Sequence, residues 1–211
     1  MPTTSGSFAR TRLATLRQFV RKPGEQVQVC ELCAQPIGRT HSHLLELEKR
    51  RLVCACQACS ILFAGDTRRP YRRIPRDVYR LGDFRMDDPD WESLLIPINL
   101  AFFVYSSAAN KMIAQYPSPG GVMESSVDLE YWDAIAQRNP ILRQLEPDVE
   151  ALLLNRINDT RQYFRVPIDR CFELVGIIRT TWHGLSGGEQ VWKKIDSFFE
   201  DLTAQAGERG A

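Results

Sequence analysis

Apolar residues at helical spacing in the last third of the chain predict two amphipathic helices. One stripe runs from Ile168 to Trp182 and the other from Val191 to Leu202, with apolar positions mostly three or four residues apart. Residues 184–188, Gly-Leu-Ser-Gly-Gly, lie between the stripes and are typical of a turn that joins two helices. We therefore expect each of these helices to bury one face.

Strand patterns dominate the middle of the chain. Residues 96–106 are strongly apolar and predict a central strand, and residues 111–116 predict a second strand. Residues 149–157 and 161–166 predict a hairpin that turns at Asn158-Asp159. Shorter helices are predicted from Asp88 and from Asp128 to Arg138. Clusters of strands followed by helices indicate an α+β fold with a mainly antiparallel sheet packed against helices.

The first third of the chain has shorter predicted elements than the rest, which indicates a small separate module. A hairpin is predicted between residues 43 and 55, followed by a short helix over residues 56–64. The predicted division is a basic lead-in helix over residues 1–25, a cysteine-rich metal-binding module over 26–66, an α+β domain over 67–206 and a disordered tail over 207–211.

Composition excludes several classes of protein. The 211-residue chain is 44% apolar and 25% charged, close to the averages for globular proteins, which argues against disorder, collagen and coiled coil. The longest apolar run, around Leu94 to Val104, is broken by Pro97 and Asn99 and is too short to span a bilayer. No secretory signal is recognisable, so we expect a cytoplasmic protein whose thiols stay reduced.

Charge is distributed unevenly along the chain. Residues 1–85 have a net charge of +9 and residues 86–211 a net charge of −8. This asymmetry predicts docking of the basic front on the acidic back, with a nucleic acid or an acidic protein as alternative partners. Tyr71 and Tyr79 lie within the basic segment from Arg68 to Arg80 and could stack on bases. The candidate contact residues are Arg68, Arg69, Arg72, Arg73 and Arg76.

Two cysteine pairs are the strongest chemical signal. Cys30 and Cys33 are separated by two residues, as are Cys56 and Cys59, and 22 residues lie between the pairs. Two such turns can direct four thiolates at one tetrahedral ion, so we predict a structural Zn²⁺ in a treble-clef or zinc-ribbon-like module. Iron or an iron–sulfur centre on the same ligands is the alternative cofactor.

Three nearby residues could add to this chemistry. Cys54, His41 and His43 are possible additional ligands, either in a second metal site or in place of one thiolate. An enzyme with an open metal position would need such a set. Elsewhere the chain has no nucleophile elbow, phosphate-binding loop or dinucleotide fingerprint, so a non-enzymatic role is expected.

Several blocks of sequence together carry a resemblance to a known family. They are Cys30–Cys33, His41–Leu45, Cys54–Cys59, Ile96–Pro97, Leu100–Phe103, Tyr116–Pro119, Leu145–Leu153 and Gly184–Gly188. Over residues 20–202 the chain resembles an uncharacterised family encoded beside actinobacterial-type, high-affinity NiFe hydrogenases. The resemblance implies an accessory role in assembling, maturing or stabilising a hydrogenase. It implies no catalytic residue, and only the cysteines of the two pairs carry over, as metal ligands.

These observations lead to one hypothesis and two alternatives. The leading hypothesis is a zinc-binding accessory protein of a hydrogenase system that acts through protein–protein contacts with a hydrogenase subunit or maturation factor. The first alternative is a regulatory zinc protein that binds nucleic acid through Arg68–Arg80. The lesser alternative is an iron–sulfur or redox protein on the same cysteines.

Overall fold

A computed structural model describes residues 28–64, 70–125, 129–184 and 186–209. The predicted lead-in helix over residues 1–25 lies outside them. The strands are β1 (Ser42–Glu46), β2 (Arg51–Ala55), β3 (Tyr71–Arg73), β4 (Tyr79–Leu81), β5 (Leu100–Ser106), β6 (Lys111–Ser118), β7 (Gly121–Ser125), β8 (Glu150–Asn155), β9 (Gln162–Pro167) and β10 (Gly207–Arg209). The α-helices are α1 (Gln57–Ala64), α2 (Asp88–Ser93), α3 (Leu129–Arg138), α4 (Ile168–Thr181) and α5 (Glu189–Gln205), and short 3-10 helices cover Pro140–Gln144 and Ile157–Asp159.

The strands form two sheets of unequal size. The small sheet has the order β2-β1-β3 and the large sheet the order β10-β4-β9-β8-β5-β6-β7. Every pairing is antiparallel except that of β10 with β4. The predicted α+β fold with a mainly antiparallel sheet is confirmed.

The large sheet is covered on both faces. Alternate residues of β5 enter opposite cores, so Phe102 packs toward α4 and α5 whereas Phe103 stacks on Trp132 of α3 with ring centroids 4.7 Å apart. Both phenylalanines are fully buried. Strands with two buried faces are continuously apolar, which is why β5 and β8 carried no alternating pattern in the sequence.

The small sheet also faces in two directions. Leu44 of β1 packs with Val53 and Cys59 in the core of the module, whereas its neighbour Leu45 belongs to the core beneath α4 and α5. His43 lies on the same face as Leu45, because side chains alternate along a strand. The module is thus docked on the larger domain through one face of its hairpin.

Two segments form strands that the sequence did not indicate. The basic segment after residue 66 joins both sheets: β3 pairs with β1 in the small sheet, and β4 pairs with β9 in the large sheet. Only residues 74–78 separate these strands, and Ile74 and Val78 are buried in the core beneath α4 and α5. Residues 207–209, predicted as a disordered tail, form β10, because their backbone pairs with β4.

Candidate metal centre

The first cysteine pair lies on a tight turn that precedes β1. The backbone N–H of Ala34 donates to the carbonyl of Cys30 at 2.8 Å, and the N–H of Cys30 donates to the carbonyl of Gln35 at the same distance. Ala34 has a φ of 59°, a left-handed conformation that reverses the chain direction within a few residues. The turn brings the sulfur atoms of Cys30 and Cys33 within 4.8 Å of each other.

The second pair lies at the start of α1. Cys56 directly precedes the helix, and its Sγ accepts the backbone N–H of Cys59 at 3.4 Å, as a capping side chain would. Its carbonyl accepts the N–H of Ser60 at 2.9 Å. Both cysteines therefore lie at the N-terminal end of α1, which is the positive end of the helix dipole.

The two pairs converge on one ion-sized space. The four sulfur atoms of Cys30, Cys33, Cys56 and Cys59 all lie within 4.8 Å of one another, and Cys33 Sγ is 3.7 Å from Cys56 Sγ. Two sulfurs bound to one tetrahedral Zn²⁺ at about 2.3 Å stand about 3.8 Å apart, so the spacing fits a bound ion. All six cysteines of the chain lie in its described part and are free thiols. Four thiolates suit Zn²⁺ and iron alike.

Backbone donors favour negative charge at one member of the cluster. Burial opposes ionisation of Cys30, but the N–H groups of Cys56, Leu32 and Cys33 outweigh it and lower the pKa of Cys30 from 9.0 to about 6. Burial and the neighbouring thiols raise the pKa of Cys59 to about 12. The two buried thiols thus differ: backbone hydrogen bonds favour the thiolate form of Cys30, and burial disfavours that of Cys59. A bound cation would favour the thiolate form of both.

Cys54, His41 and His43 lie together as a second group of ligand atoms. Their nearest donor atoms lie within 4.8 Å of one another, and all three side chains are half-buried. His43 Nε2 is 3.1 Å from His41 Nε2, and His43 Nδ1 is 2.7 Å from Oδ2 of Asp169 in α4. The structure therefore places Cys54 with the histidines rather than within the four-sulfur cluster.

Comparison with known proteins locates both groups within one family. A sequence model of a family of unknown function (DUF5947) matches residues 29–206. The chain belongs to the DUF5947 family. The matched range begins one residue before Cys30 and ends just before β10, so it contains the module and the larger domain. No curated protein and no solved structure matches the chain.

The arginines predicted to contact a partner lie in different surroundings in this DUF5947 protein. Arg72 turns inward, with Nη1 3.3 Å from the carbonyl of Pro147 and 3.5 Å from Oδ2 of Asp148. Arg73 and Arg76 are exposed, and Arg76 Nη2 donates to Ser42 Oγ at 3.3 Å. Arg68 and Arg69 lie outside the described residues.

Two carboxylates near the two groups of candidate ligands were not found from the sequence. Glu31 Oε1 accepts the backbone N–H of Cys54 at 2.8 Å, and its other oxygen pairs with Arg51 at 2.5 Å. This acceptor and the Arg51 cation lower the pKa of Glu31 against the effect of burial. Asp169 contacts His43 although the two residues are 126 positions apart in the sequence. A local sequence pattern cannot predict a contact of this kind. No helix within the described ranges is long and apolar enough to cross a membrane.

Proposed function

We propose that this DUF5947 protein is a zinc-binding accessory protein that acts through protein–protein contacts. The observation that carries the proposal is the convergence of Cys30, Cys33, Cys56 and Cys59 at the spacing of a tetrahedral thiolate site. The order of cysteine turn, hairpin and cysteine-bearing helix supports a treble-clef arrangement. Its proposed role is structural: the ion fixes the module, and the module docks on the larger domain.

The proposed partner is a subunit or a maturation factor of a NiFe hydrogenase. Support comes from the resemblance of the sequence blocks described above to a family encoded beside such enzymes. The cytoplasm is the proposed compartment, because free thiols persist in a reducing environment.

An apolar surface on the metal module supports contact with another protein. Ile61 and Leu62 of α1 are 60% and 63% exposed, on the opposite side of the helix from buried Cys59 and Ser60. Exposed apolar surface is a common component of interaction sites, and these two adjacent side chains provide it on α1. The four-sulfur site would hold this helix in a fixed position, so metal binding and partner binding would be linked.

The metal part of the proposal is tested by elemental analysis and an absorption spectrum of protein purified without added metal. Zinc that Cys33→Ser removes, with no visible band, supports it. Iron with a thiolate-to-metal band would overturn it in favour of an iron–sulfur or redox protein on the same cysteines.

The partner part is tested by measuring the affinity of the purified protein for purified hydrogenase subunits and maturation proteins. Binding that Leu62→Asp weakens at least tenfold supports the proposal, because a buried charge opposes docking. Leu95→Asp is the matched control, since Leu95 is 80% exposed on the larger domain. Absence of binding to every component would overturn this part of the proposal.

Nucleic-acid binding is a second candidate, favoured by the exposure of Arg73 and Arg76. It is weakened by Arg72, whose guanidinium already pairs with Asp148. A salt-dependent affinity for a labelled oligonucleotide at physiological salt, lost in the double variant Arg73→Ala with Arg76→Ala, would support this alternative. No binding at that salt concentration would dismiss it.

A further inference from the structure

The second group of ligand atoms is built by strand geometry. His43 of β1 pairs directly with Cys54 of β2, so their side chains leave the small sheet on the same face. His41 directly precedes β1, and its ring contacts the ring of His43 on that face. It is the face that carries Leu45 into the larger domain, so the group lies at the junction of the module with α4.

Hydrogen bonds fix how both imidazoles point. His41 Nδ1 is 2.9 Å from the carbonyl oxygen of Gly38, and His43 Nδ1 is 2.7 Å from the carboxylate of Asp169. A carbonyl and a carboxylate only accept hydrogen bonds, so each Nδ1 carries the hydrogen and each neutral ring has its lone pair at Nε2.

The two Nε2 atoms then face each other at 3.1 Å, with Cys54 Sγ within 4.8 Å of both rings' nearest nitrogens. Two lone pairs at this distance repel unless a cation or a shared proton lies between them. Histidine ligands of metal ions nearly always donate their other N–H to a carboxylate or a backbone carbonyl, and His43 and His41 show one case of each.

The carboxylate of Asp169 independently suggests that a cation binds nearby. Its Oδ2 contacts His43, but its Oδ1 is buried and has no hydrogen-bond partner among the described residues. A buried carboxylate oxygen without a partner is costly unless a cation is near. A divalent ion bound through His43 would supply that charge.

We propose that His41, His43 and Cys54 form a second Zn²⁺ site, in which Asp169 orients His43 and an exchangeable water completes the coordination. Two imidazoles and one thiolate are donors that zinc prefers. Three protein ligands are the number found in zinc sites with an open position, whereas structural sites have four. His41 also lines an open depression with Ser42 and Arg76.

The test is zinc stoichiometry of the full chain after equilibration with excess Zn²⁺ and removal of unbound metal. We expect two ions per chain in the native protein and one in His41→Ala. The hydrogen bonds of His41 stay within the module, whereas His43 binds Asp169 of α4, so His41→Ala should keep the fold. His183→Ala is the matched control, because His183 is the third histidine of the chain, is exposed, and should leave both ions bound.

Cobalt substitution identifies the ligands. Co²⁺ should bind in two phases, and Cys54→Ser should remove the thiolate-to-metal charge-transfer band from one phase alone. Asp169→Asn should weaken the affinity of that phase about 10–100-fold, since it removes the orienting acceptor.

The outcomes separate this site from the four-sulfur site. Loss of one ion in Cys33→Ser and of a different ion in His41→Ala supports both sites. A single ion per chain, removed by Cys33→Ser and unaffected by His41→Ala, keeps the structural zinc and overturns the second site. The 3.1 Å contact would then be a hydrogen bond between the two rings.

Discussion

The cysteine-bearing module and the larger domain differ in how much apolar surface each buries in its core. The module core has five buried residues, Cys30, Leu44, Val53, Ala55 and Cys59, so two of the five are candidate metal ligands. The larger domain instead has a seven-stranded sheet with apolar cores on both faces. Small units of this kind usually need a metal or a disulfide, because they bury too little surface to fold alone.

The difference teaches where each region derives its stability. With the proposed zinc bound, the module would depend on its sulfur ligands and on docking through Leu45, whereas the domain depends on buried side chains such as Phe102 and Leu153. Perturbations of metal binding and of packing should therefore affect different parts of the molecule.

The largest effect is expected from Cys33→Ser. Structural zinc in small domains contributes on the order of 10 kcal/mol of apparent binding free energy. The exposed Cys33 side chain leaves no cavity when replaced, so the effect reports on the metal. We expect rapid amide exchange over residues 28–64 while α4 and α5 stay protected.

The control for this prediction is Cys171→Ala, which removes a fully buried thiol from α4. It should destabilise the larger domain and leave the metal content unchanged. Simultaneous unfolding of module and domain in Cys33→Ser would contradict the proposed division of stability.

A smaller effect, confined to packing, is expected from Phe102→Ala in the central strand β5. Replacing a fully buried phenylalanine by alanine costs about 3–5 kcal/mol in lost transfer free energy and cavity formation. Urea unfolding followed by circular dichroism measures the loss. Met123→Ala on β7 is the control, because Met123 is 47% exposed and should change stability by less than about 0.5 kcal/mol. An equal loss of unfolding free energy in Phe102→Ala and Met123→Ala would contradict the view that buried side chains stabilise the larger domain.

The next effect separates the two faces of β1. Leu44→Ala and Leu45→Ala remove the same atoms from adjacent buried positions, each at a cost of about 2–5 kcal/mol. Leu44→Ala should perturb the amide resonances of Cys30 and Cys59, whereas Leu45→Ala should perturb those of Ile168 and Phe172. Identical patterns of perturbation would show that the module and the domain share a single core.

The smallest effect is expected from the ion pair that joins Arg50 to Glu124. The two groups are 2.7 Å apart and each is 51% exposed, so Arg50→Gln should cost less than about 1 kcal/mol. High salt should abolish the difference, because exposed charges are screened. Lys193→Gln is the control: it removes a pair within α5 that links no two regions. A loss of several kcal/mol would make this pair a principal element of docking.

Elements with strong local signals were predicted from the sequence. The hairpin of β8 and β9 turns at Asn158 and Asp159, whose φ values of 51° and 60° suit these residue types. The apolar stripes of α4 and α5 were equally clear. The cysteine spacing predicted which four sulfur atoms come together, because each pair is set by a local turn.

Elements that depend on distant partners were not predicted. The strands β3, β4 and β10 have three residues each, too few to show a periodic pattern, and each exists only through its neighbour. The contact between His43 and Asp169 likewise requires the module to dock on α4 before the two residues can meet. The sequence placed all three ligands of the second site near one another but could not show what orients them.

The short connection between β3 and β4 limits how the module can move. Residues 74–78 could span at most about 17 Å when fully extended, and Ile74 and Val78 would first have to leave their apolar surroundings. This short, partly buried connection therefore does not allow the module to move independently of the larger domain. A force applied to α1 by a partner would therefore pass to β4 and strain the large sheet between β10 and β9.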